Sequence, residues 1–341
     1  MRFSKTAGVS RSTSESQRYA ACGNPTPLTR VLDCLPGFSI DRRRALILVM
    51  AHATFQVGDL TAVIGDNAAH EKHRSGYNGV WSLEHKTSQR SLFVPGIAGL
   101  NLEHIFNGDP VGPREVYFEP RHAPMSFRRL SDSEAELHQP ATPTFHLESW
   151  TRFKLVAPHY IDMTFTCEPH QHVFPRGWIG LFWASYMNAP LDKSFYFLGG
   201  DASRNQRELW TQFCTQRHND ESTVLFRDDP TRLEFAPDER ETLYKSFSPF
   251  RFDRPFYYGH FEEHTWILMF DRAEGIRFSH SPSGGGVNSA KRTTNPAWDF
   301  QFIVPKFEVN EKYGFKARAV FRPRCDREGI VAEYESWRKA N

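Results

Sequence analysis

The chain has 341 residues, 24% of them charged, with a net charge of only +2. Residues 1–50 hold eight Lys or Arg against three acids, a net of +5, which leaves −3 for the remainder. A basic, phosphate-neutralising surface is therefore not expected in the folded part, which argues against a nucleic-acid partner.

Residues 1–50 are rich in Ser, Thr and Arg and lack Trp, so a disordered basic leader is expected there. Arg42-Arg43-Arg44 followed by ALILVMAHA has the outline of an export signal, although 41 residues precede it. Structure is expected from residue 51 onward, as one large domain running to residue 341. ATFQVGDLTAVIGD reads as a hairpin turning at Gly58-Asp59, and Asn78-Gly79 opens a second strand. Asn101-Leu102-Glu103-His104 places an imidazole beside a carboxylate near a strand end. Strands are then expected at EVYFEP and SFRRL, with a polar break over SDSEAELHQPATP, before FHLESWTRFKLV. Glu119-Pro120-Arg121-His122 repeats the carboxylate–imidazole pairing.

The stretch from Pro158 to Asn188 is the most informative. Tyr160, Asp162, Thr164 and Thr166 fall on one face of a strand, and Ile161, Met163, Phe165 and Cys167 on the other. Trp178 to Met187 is apolar on both faces, as in a strand covered from both sides. His170 and His172 form an H-x-H pair, a geometry used for metals in small β-barrels. No carboxylate follows at the spacing such sites use, so substrate-contacting or surface histidines are the first reading and a metal pair the alternative. His159 and Asp162 place an imidazole and a carboxylate near a tyrosine phenol, equipment to grip a polyol or move a proton.

A helix is expected over Ser203–Arg217, where Ser203 and Gln206 have capping-box spacing. A helical turn is expected near Pro237–Tyr244. Strands resume with PFYYGHF, HTWILMFD, GIRFSHSP, WDFQFIV and FKARAVF, and Ile330, Tyr334 and Trp337 mark a closing helix. In WDFQFIV, Trp298, Phe300 and Phe302 should face the core, with Asp299 and Gln301 on the other side. Aspartate near Trp298, Arg277, Asn295 and Gln301 is the equipment of a sugar site: aromatic faces meet C–H surfaces while polar groups divide the hydroxyls. The triple glycine at 284–286 is expected to form a loop over such a site.

Roughly fourteen strands against two or three helices give an all-β, two-sheet antiparallel sandwich. Five Cys without a CxxC pair argue against a disulfide framework and for a reducing, cytoplasmic setting, with export as the alternative. No apolar run reaches the ~18–20 residues of a membrane span. No cofactor is expected.

With its long all-β run, mid-chain His and aromatics, and a late strand bearing a carboxylate, the chain resembles the galactose mutarotase-like supersandwiches over residues 54–325. That resemblance implies a carbohydrate ligand. In epimerases of that group a mid-chain His acts as acid and a late carboxylate as base. His159 or His170 and Asp299 occupy comparable places in chain order, with Asp standing where those epimerases use Glu. The expected catalytic set is thus His159, His170, Asp299 and Glu119, with Asp162, Trp183, Arg277, Asn295, Trp298 and Gln301 holding the sugar. Related folds include lyases, glycosidases and proteins that only bind, so a non-catalytic binding sandwich and a metal-dependent enzyme stand as alternatives.

Overall fold

A computed structural model of the chain describes residues 50–237 and 242–340. The expected leader lies outside the described residues apart from Met50. In chain order the strands are β1 (His52–Val57), β2 (Leu60–Gly65), β3 (Gly79–His85) and β4 (Asn101–Phe106). Two short helices follow, α1 (Arg114–Tyr117) and α2 (Glu119–His122). Then come β5 (Ser126–Arg129), β6 (Glu134–Gln139), β7 (Leu147–Val156), β8 (Tyr160–Pro169), β9 (Ile179–Ala184) and β10 (Phe195–Asp201). After them lie β11 (Leu209–Phe213), β12 (Thr223–Phe226), β13 (Phe247–Phe261), β14 (His264–Phe270) and β15 (Ile276–Ser281). The chain ends with β16 (Val287–Asn288), β17 (Thr293–Thr294), β18 (Ala297–Val304), β19 (Tyr313–Pro323) and α3 (Arg327–Ala340).

β1, β2 and β3 form a small antiparallel sheet. The other large sheet has fourteen strands and runs β4-β9-β18-β15-β12-β13-β14-β19-β8-β7-β6-β5, with β10 and β11 paired off that path. So long a sheet must curl or fold, and here one half lies over the other. Phe165 on β8 meets Trp183 on β9 edge-on at 4.7 Å, and Phe300 on β18 meets Phe270 on β14 at 4.9 Å. The fifteen-residue β13 joins the halves, pairing with β12 along its first part, with β10 between Phe250 and Tyr258, and with β14 at its end. The result is the two-layered antiparallel sandwich expected, in which β12 and β13 pair in parallel.

Alternation decides which side chains enter the core. Along β18, Trp298, Phe300, Phe302 and Val304 belong to the main apolar cluster, while Ala297 and Ile303 join a second cluster on the opposite face. All eight residues of β18 are buried, so that opposite face is covered as well. The cover comes from α1, α2 and the segments around Tyr77 and Tyr244. α3 buries Ile330, Tyr334 and Trp337, with Tyr334 against Phe256 of β13 at 4.9 Å.

Three sequence expectations give way to other structure. EVYFEP is α1 and α2, not a strand. Pro120 sits in the first turn of α2, where its missing N–H costs nothing, whereas a central strand would lose a ladder bond. SDSEAELHQ contains β6, which pairs with both β5 and β7. The expected helix over Ser203–Arg217 is a single 3-10 turn, Ala202–Arg204, followed by β11 paired with β10. Asp201 rather than Ser203 caps that turn, and Asn205 at φ 53° and Glu208 at φ 50° turn the chain out of a helical path. The helical turn expected near Pro237–Tyr244 lies partly outside the described residues; the described part has a 3-10 turn at Leu243–Lys245.

Candidate active site

The face of the β4–β9–β18–β15 half that looks away from the core carries a cavity of about 250 Å³. β18 presents Asp299 to it, and β4 presents Glu103 and His104. Adjacent residues of a regular strand point to opposite faces. Here the β4–β9 register shifts between Leu102 and His104, a bulge that lets Glu103 and His104 line the same cavity. Leu102 is opposite Trp183 and His104 opposite Phe182, so Glu103 is the extra residue.

Asn78 holds the bulge. Its Oδ1 accepts the Leu102 N–H at 3.1 Å and its Nδ2 donates to the Leu102 carbonyl at 2.9 Å. β4 ends the sheet path, so a side-chain amide here replaces a missing strand neighbour. Gly79, at φ 93°, brings Asn78 close: a Cβ there would lie 2.6 Å from the Leu100 carbonyl oxygen.

Glu103 is the electrostatic centre. Its carboxylate accepts hydrogen bonds from the Tyr186 hydroxyl and, at 3.2 Å, from Asn101 Nδ2. His104 Nε2 lies 3.4 Å and the Arg121 guanidinium 3.8 Å from its other oxygen. Burial alone would lift this carboxyl, but His104, Arg121 and Tyr186 together outweigh it and hold Glu103 below the usual glutamate value. His104 Nδ1 stands 2.6 Å from the Tyr117 carbonyl, an acceptor only, so Nδ1 carries a proton. Arg121 is fixed by the Gly76 carbonyl at 2.8 Å and by the Tyr77 and Phe118 rings, 4.0 and 4.8 Å from its guanidinium carbon.

Asp299 is the opposite case. It is 1% exposed, and Ser185 N–H donates to its Oδ1 at 2.9 Å. Burial, with the Glu103 charge adding to it, pushes this carboxyl well above the ordinary aspartate value and favours the neutral acid; the Ser185 bond opposes this only in part. β18 and β4 flank β9, so their axes are roughly 9.5 Å apart at about 4.8 Å per strand. Tyr186, whose hydroxyl meets Glu103, is also pushed up by burial and then by the Glu103 charge. His218 completes the rim, its Nδ1 2.7 Å from Ser281 Oγ, and burial lowers its value.

Of the residues expected from sequence, Asp299 alone among the catalytic four lines this cavity. The expected pairing of His159 or His170 with Asp299 across one hollow is not what the structure shows. β8 belongs to the opposite layer: its Phe165 enters the shared core, and its polar side faces away from β18. His159 sits 3.6 Å from Glu333 of α3. His170 lies between Glu148 at 2.8 Å and Asn310 at 3.2 Å. His172 packs near Phe307. Among the described residues no group of three or more His, Cys, Asp or Glu is arranged to hold a metal ion. Glu119 is buried and accepts the backbone N–H groups of Thr144 and Phe145, a structural clamp.

The expected sugar contacts also divide. Asp162 makes a two-pronged ion pair with Arg318 on the outer face of β8. Trp183 and Trp298 are fully buried in the core, Trp183 stacked on Phe300 at 4.9 Å and Trp298 donating to the Lys193 carbonyl at 2.7 Å. Gln301 shares Asp299's side of β18 but is tied to Thr223 and Ser279. Arg277, on β15 opposite Gln301, points its guanidinium at Asp229, 3.6 Å away. Asn295 anchors the glycine segment through the Gly285 carbonyl. That segment leads into the β16–β17 hairpin, and its Gly284 lines the cavity.

No helix among the described residues is long and apolar enough to cross a membrane. No protein-family model and no curated protein sequence matches the chain. Among solved structures it is similar to a putative aldose 1-epimerase from Escherichia coli K12, at TM-score 0.45 and 10% identity, over 80% of this chain and 99% of that one. An aldose epimerase homologue from C. elegans is similar at TM-score 0.44 and 8% identity, over 81% and 100%. A heparan sulfate lyase mutant from Pedobacter heparinus is similar at TM-score 0.37 and 10% identity; the match covers 81% of this chain but only 36% of the lyase.

Proposed function

We propose that the cavity between β4 and β18 binds a sugar ring and that Asp299 and Glu103 act on it as general acid and general base. The observation that carries this reading is the contrast between two carboxyls in one cavity. Asp299 is pushed toward its neutral form and Glu103 is held ionised. Two groups whose protonation is driven apart by their surroundings are what acid–base catalysis at neutral pH requires. The walls fit the same ligand: Tyr77, Phe118 and Phe182 offer ring surfaces, and Arg121 and His218 offer polar contacts. At about 250 Å³ the cavity is below the ~300–1,000 Å³ usual for drug-sized ligands, in keeping with a single ring.

In the simplest reaction Asp299 gives its proton to the ring oxygen while Glu103 takes the proton of the C1 hydroxyl. The C1–ring oxygen bond breaks, an open-chain aldehyde forms, and reversal closes either anomer. The same pair applied to a glycosidic oxygen would support cleavage. Arg121 balances charge at Glu103 in both.

A non-catalytic binding role is favoured by one observation: Glu103 already meets Tyr186, Asn101, His104 and Arg121. A carboxylate so engaged can organise a cavity without accepting a proton. The deciding experiment compares wild type, Asp299→Asn and Glu103→Gln. Anomer exchange of free aldoses is followed by NMR, release of reducing ends from glycans by colorimetry, and binding by calorimetry. Catalysis predicts turnover by wild type and its loss in Asp299→Asn with binding kept. Binding without turnover in wild type supports the second reading, and a wild type that binds no sugar sinks both.

A further inference from the structure

A second cleft, of about 210 Å³, lies next to the first, and Tyr117 lines both. β4 and the residue after it run from one to the other: Glu103 and His104 line the first, and Ile105, Phe106 and Asn107 the second. From Glu103 to Phe106 is roughly 10 Å at about 3.4 Å per residue. The Tyr117 carbonyl also fixes His104, so the partition between the clefts is part of the catalytic framework.

The second cleft has its own recognition chemistry. Phe106 and Tyr244 stack at 4.1 Å on its wall. Asn107 Nδ2 donates to Asp109 at 2.8 Å, and Asp109 also pairs with Arg176. Aromatic surface beside an amide and a carboxylate, Asn107 and Asp109, on the same wall matches a polyhydroxylated ring better than a plain apolar group. Thr144 and Phe145, on the far wall, are tied by Glu119 to α2, the helix that carries Arg121 into the first cavity. One helical segment therefore shapes both spaces.

We propose that this cleft is a second sugar subsite, so that the substrate is a glycan of at least two residues rather than a free monosaccharide. The proposal rests on reading the first cavity as a sugar site. It places the bond acted on near Tyr117, between the two clefts.

Gly112 gives the test. It lines the second cleft, its backbone is not in the left-handed region, and a Cβ there meets only Val116 atoms, at 3.8 Å. Gly112→Phe should fill the cleft, and Gly112→Ala serves as control. Calorimetry would compare glucose, galactose, mannose and N-acetylglucosamine with cellobiose, lactose, mannobiose and chitobiose. At least one disaccharide should bind about tenfold more tightly than its monosaccharide, and Gly112→Phe, but not Gly112→Ala, should erase that ratio. A wild type that binds a monosaccharide as well as or better than every disaccharide overturns the second subsite while the first cavity stands. So does a ratio that survives Gly112→Phe. If none of the eight sugars binds, the reading of the first cavity falls and this one with it.

Discussion

The side-chain amide of Asn78 closes both backbone groups of Leu102, accepting its N–H at 3.1 Å and donating to its carbonyl at 2.9 Å. This is the point where β4 bulges, and the bulge is what turns Glu103 and His104 toward the same cavity as Asp299. Asn78 itself does not line the cavity; it positions the residues that do.

Asn78→Ala leaves a buried N–H and a buried C=O of Leu102 without partners, which should cost about 1–3 kcal/mol for each group left unsatisfied. Asn78→Asp keeps the acceptor but loses the donor and should fall between the two in urea unfolding. Where ligand binding can be measured at a temperature at which the variants remain folded, affinity should follow the same order. Equal affinity in all three would show that the bulge does not depend on Asn78.

Removing the charge at Glu103 should be expensive. Glu103→Gln strips Arg121 and His104 of their shared anion in a buried setting, where breaking a pair typically costs about 3–5 kcal/mol. The Gly76 carbonyl and the Tyr77 ring still hold Arg121, so the lower end is expected. Tyr186→Phe, losing one hydrogen bond to a charged group, should cost about 1.5–3 kcal/mol. Because folding depresses the Glu103 value, its contribution is present above the unfolded value near ~4.3 and is lost as pH falls through the folded one. The wild-type advantage over Glu103→Gln should therefore shrink in acid.

Trp183 separates core from site. The sequence reading gives it a part in holding the sugar, yet it is fully buried, stacked on Phe300 and edge-on to Phe165 and Phe315. Trp183→Ala should cost about 3–5 kcal/mol. Trp183→Phe should cost less and leave sugar affinity unchanged while the protein is folded. A Trp183→Phe variant with native melting temperature and lost affinity would return Trp183 to the site.

Much of the fold was legible because period-two alternation registers directly which face a strand buries. The split of Trp298, Phe300 and Phe302 from Asp299 and Gln301 on β18 came from that pattern alone. The Glu103-His104 pair was visible too, but alternation predicts opposite faces for neighbours, and only the bulge in pairing with β9 overrides it. Chain order also misled. Mid-chain histidines near 159–172 belong to β8 and its turns, in the layer across the core from β18. Strand order in a folded-over sheet is set by long-range pairing that local pattern does not encode. Arg121 was hidden for a related reason, since EVYFEP looks like a strand until Pro120 is placed in a helical first turn.

His170 offers a contrast between structural and catalytic histidines. Its hydrogen bond to Glu148 raises its value; burial opposes that, and the Asn310 and Glu168 contacts add smaller increases that leave the net shift upward. A raised value means stability fully present below the unfolded value near ~6.5 and lost as pH rises through the folded one. His170→Ala should therefore be most damaging to the melting temperature in mild acid and nearly silent in alkali. It should leave sugar binding intact at every pH; a binding defect above about pH 8 would place His170 in the site after all.

Asp299→Asn tests the acid directly. Asparagine is nearly isosteric with a neutral carboxylic acid, and its amide oxygen can still accept the Ser185 N–H that Asp299 accepts at 2.9 Å. Folding raises the Asp299 value, so the stability it contributes is fully present below the unfolded value near ~3.9 and is lost as pH rises through the folded one. The variant does not titrate. Relative to Asp299→Asn, wild type should therefore lose ground steadily as pH climbs from about 4 toward the folded value, then run parallel to it. At neutral pH the variant should match or exceed wild type in melting temperature, while any turnover by wild type disappears. The pH profile separates this from a plain packing role, since a steric defect would lower the melting temperature by the same amount at every pH. A variant destabilised uniformly across that range, or one that keeps full turnover, would remove Asp299 from the role of acid.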